Sequence, residues 1–407
     1  MNERAAPPPR SPALPGSTAG SLIGEHAERL RAQLHAMAAA LYPPSSAKSL
    51  RRFSSGEAAR LIGVSDSRLR QLSIDGAGPQ PQISANGRRS YTLGDIHGLR
   101  GHLDEITRTG RRYRPGRTGS EHLQVLAVVN FKGGSGKTTT AAHLAQSLVL
   151  RGYRVLAIDL DPQASLSALL GVQPELEVGA NETLYGAIRY DAARRPLQDV
   201  IRKTYFTGLD LVPAHLELME FEHETPKALG QRQARDQLFF ARLAQVLDTV
   251  GDAYDLVVID CPPQLGFLTL SALCAATMLL ITVHPQMLDV ASMSQFLAMA
   301  DDLLAVVRDA GGAIQYDALR YLMTRYEPQD GPQTRIVALL RNLFGEAVLT
   351  APMLKSSAVS DAGLSKQTLY EIAREGVTRS TYDRALEALE AVHDEIEGVI
   401  IRAWGRS

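Results

Sequence analysis

The chain of 407 residues is poor in cysteine, with only Cys261 and Cys274. Two cysteines cannot build a disulfide framework, and so few are typical of the reducing cytoplasm. The longest apolar stretch, residues 268–283, is interrupted by Thr and Ser and is too short for a bilayer span. It is better interpreted as a helix followed by a strand. The proline-rich beginning has no apolar core segment, which predicts that no secretory leader is present.

The net charge is only −1, but the charges are unevenly distributed. Residues 1–120 hold 18 Lys and Arg against 9 Asp and Glu, whereas the remainder holds 25 against 35. A basic front segment on an acidic body predicts contact with nucleic acid, although a solvated basic face would have the same composition. The length and the 45% hydrophobic content favour two domains over one.

A glycine-rich loop lies between a predicted strand at 126–131 and a predicted helix at 138–150. Strand, loop and helix in this order form a phosphate-binding site, because glycines bend the loop and the helix start attracts anions. The lysine before the helix would reach the β- and γ-phosphates, and the next hydroxyl would ligand Mg²⁺. The predicted nucleotide-binding residues are Lys132, Gly133, Gly134, Ser135, Gly136, Lys137, Thr138 and Thr139.

The loop departs from the usual phosphate-binding pattern, because Phe131 stands where that pattern has its first glycine. It is therefore a variant, or deviant Walker A, form. It also contains a second lysine, Lys132, which a simple nucleotide pocket does not need.

Three aspartates follow two further predicted strands. Asp159 and Asp161 follow the apolar run at 155–158, and Asp260 follows the run at 256–259. The carboxyl ends of parallel strands meet at one edge of a sheet, where open α/β sheets bind their ligands. Carboxylates there can hold metal-bound water or position an attacking water. A single such Asp could equally cap a helix, but three beside a phosphate loop strengthen the nucleotide interpretation.

The first 44 residues predict a tail and a helix. Residues 1–20 contain five prolines and are expected to be a disordered tail. Residues 21–44 predict a dimerisation helix, because apolar residues alternate spacings of four and three as in a coiled-coil seam. A helix packed on its own domain explains the pattern equally well. The seam residues are Ile23, Ala27, Leu30, Leu34, Met37 and Leu41.

Residues 45–106 predict a winged helix-turn-helix DNA-binding domain. Ser54 and Glu57 have capping-box spacing, and residues 63–65 make a turn into a second helix that runs to about Ile74. A hairpin tip at 86–91 is similar to the wing of MerR-type proteins; a two-helix corner in an unrelated small domain is the alternative. The candidate DNA-binding residues are Ser67, Arg68, Arg70, Gln71, Arg88 and Arg89.

Residues 107–120 form a basic linker that either tracks phosphates or serves as a soluble tether. After it, residues 121–407 alternate strands and helices, which predicts a mostly parallel sheet flanked by helices. The fold class is therefore α/β, a P-loop NTPase body with an α-helical winged helix-turn-helix domain in front. Besides those named above, strands are predicted at 209–212, 278–283, 318–323 and 347–351, and helices at 231–250, 288–310, 333–344 and 381–404.

The motifs at 132–139, 159–163 and 259–263 resemble those of the ParA/MinD class of ATPases. The segments 284–293 and 325–333 resemble the larger plasmid-partition ParA proteins, with the RepA group of repABC plasmid systems the closest match. The resemblance covers roughly residues 21–407.

The resemblance implies a homodimer that closes over two ATP molecules, with Mg²⁺ as cofactor and ADP as product. Lys132 would then cross to the partner's ATP, acting as an arginine finger does. Lys137 would hold the phosphates, Thr138 would coordinate Mg²⁺, and Asp161 would help to activate water. The metal shell would be supported by Asp159 and Asp260, and the adenine pocket would be lined by Pro285 and Met287.

The resemblance also implies a cycle on DNA in the cytoplasm, at the nucleoid and without a membrane. The ATP-bound dimer would bind DNA without sequence preference, with Lys355 and Arg379 as candidate contacts, although each is explained equally well as an ordinary surface charge. A ParB-like centromere-binding protein would stimulate the weak intrinsic ATP hydrolysis. The ADP-bound form would bind the operator through the winged helix and repress its own operon.

Three alternatives remain open at the level of sequence. A MinD-like membrane ATPase would need a basic amphipathic end, but the acidic helix that precedes residues 396–406 argues against one. A transcription regulator could use ATP only as a ligand. An iron–sulfur reductase of the same superfamily would need more cysteine ligands than Cys261 and Cys274 offer.

Overall fold

The structure is a computed structural model that describes residues 22–30, 32–33, 48–107, 111–230, 238–372 and 379–406. The chain divides into two units, Met1–Lys48 and Ser49–Ser407. In the first unit, residues 22–30 and 32–33 are helical and exposed. The predicted tail and most of the predicted dimerisation helix lie outside the described residues.

The first two helices of the second unit are α1 (Ser55–Ile62) and α2 (Asp66–Ile74), joined by a three-residue turn. The predicted capping box starts α1: the Ser54 hydroxyl accepts from the Glu57 N–H, and the Glu57 carboxylate accepts from the Ser54 N–H at 2.9 Å. Helix α3 (Leu93–Thr107) follows a small antiparallel sheet of order β1-β3-β2. Its strands are β1 (Phe53–Ser54), β2 (Gln82–Ile83) and β3 (Arg89–Tyr91).

The remainder of the unit is built on a seven-stranded sheet of order β10-β9-β4-β8-β5-β7-β6. Every neighbouring pair is parallel except β6 with β7. The central strands are buried along their whole length, as their continuous apolar runs require in a sheet covered on both faces. The strands are β4 (Gln124–Val129), β5 (Val155–Asp159), β6 (Arg202–Lys203), β7 (Leu209–Val212), β8 (Leu256–Asp260), β9 (Met278–Val283) and β10 (Ala318–Met323).

Helices cover both faces of this sheet and form two apolar clusters. We call residues 49–107 the front part and its helices α1, α2 and α3 the front helices. One cluster joins α4 and α14 to buried residues of the front helices, and the other joins α9, α10, α11 and α12. The helices are α4 (Lys137–Arg151), α5 (Ser165–Leu169), α6 (Pro174–Glu177), α7 (Leu184–Ile188), α8 (Met219–Gly230), α9 (Arg242–Asp248), α10 (Phe267–Ala275), α11 (Met287–Asp309), α12 (Gly331–Phe344), α13 (Ser357–Leu364) and α14 (Arg379–Ala403).

Most predicted elements of the body are confirmed, and the strands at 209–212, 278–283 and 318–323 have the predicted bounds. The predicted strand at 347–351 is wrong. A 3-10 turn occupies Gly345–Ala347, and only a single bridge, from Val348 to Tyr321, forms beyond it. The helix predicted at 231–250 is shorter, because α9 begins at Arg242; residues 231–237 lie outside the described part.

Among the described helices, α11 alone is long and apolar enough to cross a bilayer by length and composition. One face of α11 packs into the core of the protein through Met293, Phe296, Leu304 and Val307.

The described part of the predicted linker is not a free tether. Asp104 accepts hydrogen bonds from the backbone N–H groups of Tyr113, at 2.8 Å, and Arg114, at 3.1 Å. From the other end of the chain, Arg406 donates to the carbonyl oxygens of Pro115 and Gly116 at 2.8 and 3.0 Å. Residues 113–116 are therefore fixed between α3 and the body.

Candidate nucleotide site and nucleic-acid interface

The glycine-rich loop connects the end of β4 to the start of α4. Gly134 and Gly136 have φ angles of 76° and 86°, in the left-handed region that glycine adopts without strain. Gly136 directly precedes α4, whose first N–H groups have no partners within the helix and favour an anion there. The backbone therefore has a shape and polarity that can receive a phosphate group.

Polar contacts hold this loop on the ends of the neighbouring strands. The buried Ser135 hydroxyl lies 3.1 Å from the hydroxyl of Thr282 on β9. Thr324, which follows β10, donates to the Ser135 carbonyl oxygen at 2.8 Å. The Asn130 side chain accepts from the Lys132 N–H at 2.9 Å. These contacts preorganise the loop without using the N–H groups at the start of α4.

Lys137 is the buried lysine of the loop. Its side chain curls back, and Nζ donates to the Lys132 carbonyl oxygen at 3.1 Å. Burial lowers the pKa of Lys137, and the nearby Asp260 partly opposes that change. The ammonium group therefore lies within the concave side of the loop, in a place where a phosphate would relieve its desolvation.

Asp159 and Asp260 are direct neighbours at the carboxyl ends of β5 and β8. Asp159 is well satisfied, because its carboxylate accepts from the Ser167 N–H at 2.8 Å, the Ser167 hydroxyl at 2.7 Å and the Asp161 N–H at 3.1 Å. Asp260 is fully buried, and neither of its carboxylate oxygens has a hydrogen-bond partner among the described residues. Burial raises the pKa of both carboxyls.

Two further causes act on the pKa of Asp260. The neighbouring Asp159 raises it, whereas the Thr138 hydroxyl, close by but not in a well-formed hydrogen bond, and the Lys137 ammonium lower it. An unsatisfied buried carboxylate of this kind is costly for the folded protein alone. A cation or metal-bound water beside it would remove that cost.

A cavity of about 480 Å³ opens beside the loop. Asp161 lines it, and its carboxylate also accepts from the Gln163 N–H at 3.0 Å. Thr138 and Thr139 lie at its floor. Another wall is formed by residues beyond β10 and along α13, namely Thr324, Arg325, Met353, Leu354, Ser356 and Val359.

Two predicted adenine contacts do not lie at this cavity. Pro285 is buried elsewhere and Met287 is 64% exposed, and neither lines the cavity. The apolar wall comes instead from Met353, Leu354 and Val359. Sequence patterns missed this wall because the chain returns to the loop more than 200 residues later. Arg325 belongs to the same wall: its φ of 52° marks a constrained turn, and its guanidinium donates to the Gly134 carbonyl oxygen at 3.4 Å.

Lys132 has a partner within its own chain. Its Nζ donates to Asp289 Oδ2 at 2.6 Å, in the first turn of α11. The Asp289 side chain is only 4% exposed, whereas that of Lys132 is 39% exposed. The second lysine therefore lies at the rim of the site, directed away from the cavity that Lys137 faces.

The predicted DNA-binding residues of the front part lie on its surface. Leu69 and Leu72 lie on one face of α2 and are buried in the core, whereas the polar face of the helix is exposed. At the hairpin, Arg88 is exposed and Arg89 is half-buried. The exposed residues of α2 are Ser67, Arg68, Arg70 and Gln71.

The two basic candidates of the body lie near the nucleotide cavity rather than near the front helices. Lys355 lines that cavity and pairs with Glu327 at 2.9 Å. Arg379 is exposed at the start of α14. Lys355 and the start of α14, at Ser380 and Thr381, also border a smaller neighbouring cavity of about 210 Å³.

Comparison with known proteins places this geometry in a family. A family described as an AAA domain matches residues 123–309. A protein of Rhizobium rhizogenes named replication protein A is 57% identical over 97% of this chain and 98% of its own length. Protein SopA of Escherichia coli K12 is 31% identical over 88% of this chain and 91% of its own length.

A solved structure with the name Partition Protein is 22% identical, covers 94% of this chain and 99% of its own, and superposes with a TM-score of 0.64. At that identity the likeness concerns the fold, which is shared along nearly the whole chain. The extent of the sequence matches, together with the glycine loop and its paired aspartates, establishes the relationship. The chain belongs to the ParA class of partition ATPases, together with SopA and the plasmid replication proteins A.

Proposed function

We propose that this chain hydrolyses ATP in a dimer that holds and releases DNA during plasmid partition, in the cytoplasm and at the nucleoid. The observation that carries the proposal is the buried, unsatisfied carboxylate of Asp260 beside Lys137 and Thr138. The folded chain alone leaves that carboxylate without a hydrogen bond from the described residues, whereas a hydrated metal ion on a bound nucleotide would supply one.

The residues around the loop fit a magnesium nucleotide. Mg²⁺ usually keeps several waters and is held by one or two protein oxygens together with phosphates. The Thr138 hydroxyl and the Asp260 carboxylate are the oxygens in place, and Asp159 supports Asp260 from the neighbouring strand. Bound Mg²⁺ would neutralise charge on the phosphoryl group that is transferred.

The side chains then divide the work of hydrolysis. Lys137 and the N–H groups at the start of α4 bind the phosphates of ATP or ADP. Asp161, half-buried at the cavity, orients the attacking water. Leu354 and Val359 hold the base by apolar contact, which replaces the assignment of Pro285 and Met287.

Lys132 completes the site of a second copy. In one chain its ammonium is engaged by Asp289 and directed away from its own cavity. Lys132 lies at the exposed rim. There it would leave the Asp289 carboxylate and pair instead with the phosphates of the nucleotide bound to the partner chain. Positive charge supplied across an interface stabilises the transition state of phosphoryl transfer, so hydrolysis would follow dimerisation.

The DNA contacts serve two states of the cycle. The ADP form would bind the operator of its own operon through Arg68 and its neighbours on α2 and through the hairpin arginines. The ATP dimer would bind DNA without sequence preference through Lys355 and Arg379. A ParB-like centromere-binding protein would stimulate hydrolysis and release.

A membrane-bound, MinD-like role has less support. The apolar residues of the last helix face the core, because Ile396, Val399 and Ile400 are at most 4% exposed. They are therefore not available to enter a lipid surface unless the helix detaches. Flotation with anionic liposomes and ATP tests this alternative, and strong ATP-dependent binding would favour it over partition on DNA.

The proposal is tested by DNA binding in three states: without nucleotide, with ADP and with a non-hydrolysable ATP analogue, each with Mg²⁺. The probes are a fragment that covers the chain's own promoter and a random fragment of equal length. We expect ADP to favour the promoter and the ATP analogue to remove that preference. Phosphate release with and without DNA is measured in parallel, and its absence under every condition would leave ATP as a ligand only, as in a transcription regulator.

A further inference from the structure

Helix α4 connects the phosphate-binding loop, at its start, with helix α3 of the front part, at its end. It begins at Lys137, directly after the phosphate-binding loop, and ends at Arg151. Its last carbonyl groups are contacted by α3, the final helix of the front part. His97 and Arg100 make these contacts, and their spacing of three places both on one face of α3.

His97 binds the first of these carbonyls. Its Nε2 lies 3.0 Å from the Val149 carbonyl oxygen. Burial, together with the nearby Arg100, lowers the pKa of His97 to about 4, so the imidazole is neutral at physiological pH and its Nε2–H is the donor. The close approach depends on Gly208, where a Cβ atom would lie 2.9 Å from the imidazole Cε1.

Arg100 joins the carboxyl ends of two helices. Its Nη2 donates to the Leu150 carbonyl oxygen of α4 at 2.7 Å and also to the Leu61 carbonyl oxygen of α1. The residue is 1% exposed. Both carbonyls belong to the last turn of a helix, the negative end of the helix dipole, where a cation is stabilising. Gly152 leaves room for the guanidinium, because a Cβ there would lie 2.7 Å from Nη1.

The helix between the two ends is suited to transmit a displacement. At 15 residues α4 is about 22 Å long. Twelve of those residues are buried, and one apolar cluster runs from α4 into the front helices. Closely packed cores shift between discrete arrangements rather than deforming gradually, so a shift at the loop is carried to the far end.

We propose that Arg100 and His97 are positioning residues that couple the phosphate-binding loop to the DNA-binding helices through α4. Because one nitrogen of Arg100 binds both α1 and α4, a movement of α4 on nucleotide binding changes the position of α1. That helix in turn packs on α2, which presents Arg68 and its neighbours to DNA. The inference rests on the proposed function, since it names the route by which ADP or ATP sets operator binding.

The test compares wild type with Arg100→Met, which keeps much of the side-chain volume but removes the hydrogen bonds to both helices. Arg335→Met, at an exposed site on α12, is the matched control. Binding to the promoter fragment is measured without nucleotide, with ADP and with the ATP analogue. The affinity for fluorescent ADP is measured with and without that DNA.

In wild type and in the control we expect nucleotide to change promoter affinity by about 5- to 150-fold, and DNA to change ADP affinity by the same factor. In Arg100→Met both factors should fall to about one. Its affinity for each ligand alone should stay within about twofold of wild type, as for sites that do not interact.

The possible failures are distinguishable. If wild type shows the nucleotide effect and Arg100→Met keeps it, the coupling through Arg100 is wrong while the proposed function stands. If wild type shows no nucleotide effect, the proposed switch and the inference both fail. Should Arg100→Met not fold, hydrogen exchange of wild type decides: ADP must change the protection of α1 and α3, and unchanged protection overturns the inference.

Discussion

Lys132 Nζ donates to Asp289 Oδ2 at 2.6 Å, so the lysine expected to act on a second copy is held inside its own chain. The carboxylate is almost fully buried, and the lysine stem is partly exposed. The pair therefore opposes the movement of Lys132 toward a partner nucleotide.

Asp289→Asn should free Lys132 and favour the dimer. Because the lysine is partly exposed, the pair is worth at most about 1 kcal/mol, so the concentration of ATP analogue needed for dimerisation should fall by up to about fivefold. Light scattering after size-exclusion chromatography measures this change. Asp302→Asn, on an exposed part of the same helix, is the control. A variant that needs more nucleotide than wild type would contradict a restraining role for Asp289.

The two loop lysines should separate binding from hydrolysis. Lys137→Ala removes the buried ammonium that faces the cavity and should abolish binding of fluorescent ATP. Lys132→Ala should leave that binding intact but lower phosphate release by about 10³-fold or more, the usual effect of a charge supplied across an interface. Wild-type turnover in Lys132→Ala would exclude a role for that lysine in the partner's site.

Asp260→Asn should stabilise the protein in the absence of nucleotide and Mg²⁺. Burial raises the pKa of Asp260 in the folded state, so the stability present at low pH is lost as the pH rises through that pKa. The gain on substitution should therefore be larger at pH 8 than at pH 5. Its size should be about 1–3 kcal/mol, the usual cost of an unsatisfied buried polar group.

Thermal unfolding at both pH values in EDTA measures the effect of Asp260→Asn. Asp248→Asn, an exposed site on α9, should show no such pH dependence. Addition of Mg²⁺ and ADP should stabilise wild type more than the variant. A variant that is destabilised to the same degree at both pH values would count against the unsatisfied carboxylate as the cause.

Arg68→Ala and Arg88→Ala should weaken promoter binding while leaving basal ATP hydrolysis unchanged. If an arginine contacts a phosphate, its loss should reduce the slope of log affinity against log salt by about 0.9. If it contacts a base edge, discrimination against random DNA should fall by about 1–3 kcal/mol. Arg335→Ala is the matched control. Promoter affinity unchanged in both variants would show that the winged-helix assignment is wrong.

Val359→Phe should fill the apolar side of the nucleotide cavity. Overpacking costs about 1–3 kcal/mol, so ADP affinity should fall by about 5- to 150-fold. Met287→Phe, at a residue that is 64% exposed, should leave that affinity unchanged. Isothermal titration calorimetry measures both. If Met287→Phe lowered ADP affinity and Val359→Phe did not, the adenine would bind at the start of α11, as the sequence predicted.

Local patterns in the chain were sufficient for the central part of the fold. The glycine loop, the apolar runs and the aspartates that follow them specify a strand, a turn and a helix by short-range rules. The bounds of β7, β9 and β10 coincide with mostly apolar runs. Periodicity failed at 347–351, where a short apolar run packs without a full strand partner.

Long-range packing determined the contacts between distant residues, which local patterns do not encode. Three features join residues that are distant along the chain. They are the apolar wall of the cavity, the ion pair between Lys132 and Asp289, and the hydrogen bonds of Arg100 to two helices. No spacing rule links such residues, because their proximity depends on the order of strands and on how helices pack over them. The sequence alone thus identified the chemistry of the loop, whereas the folded chain showed which side chains contact it and that α3 packs against the far end of α4, the helix that follows the loop.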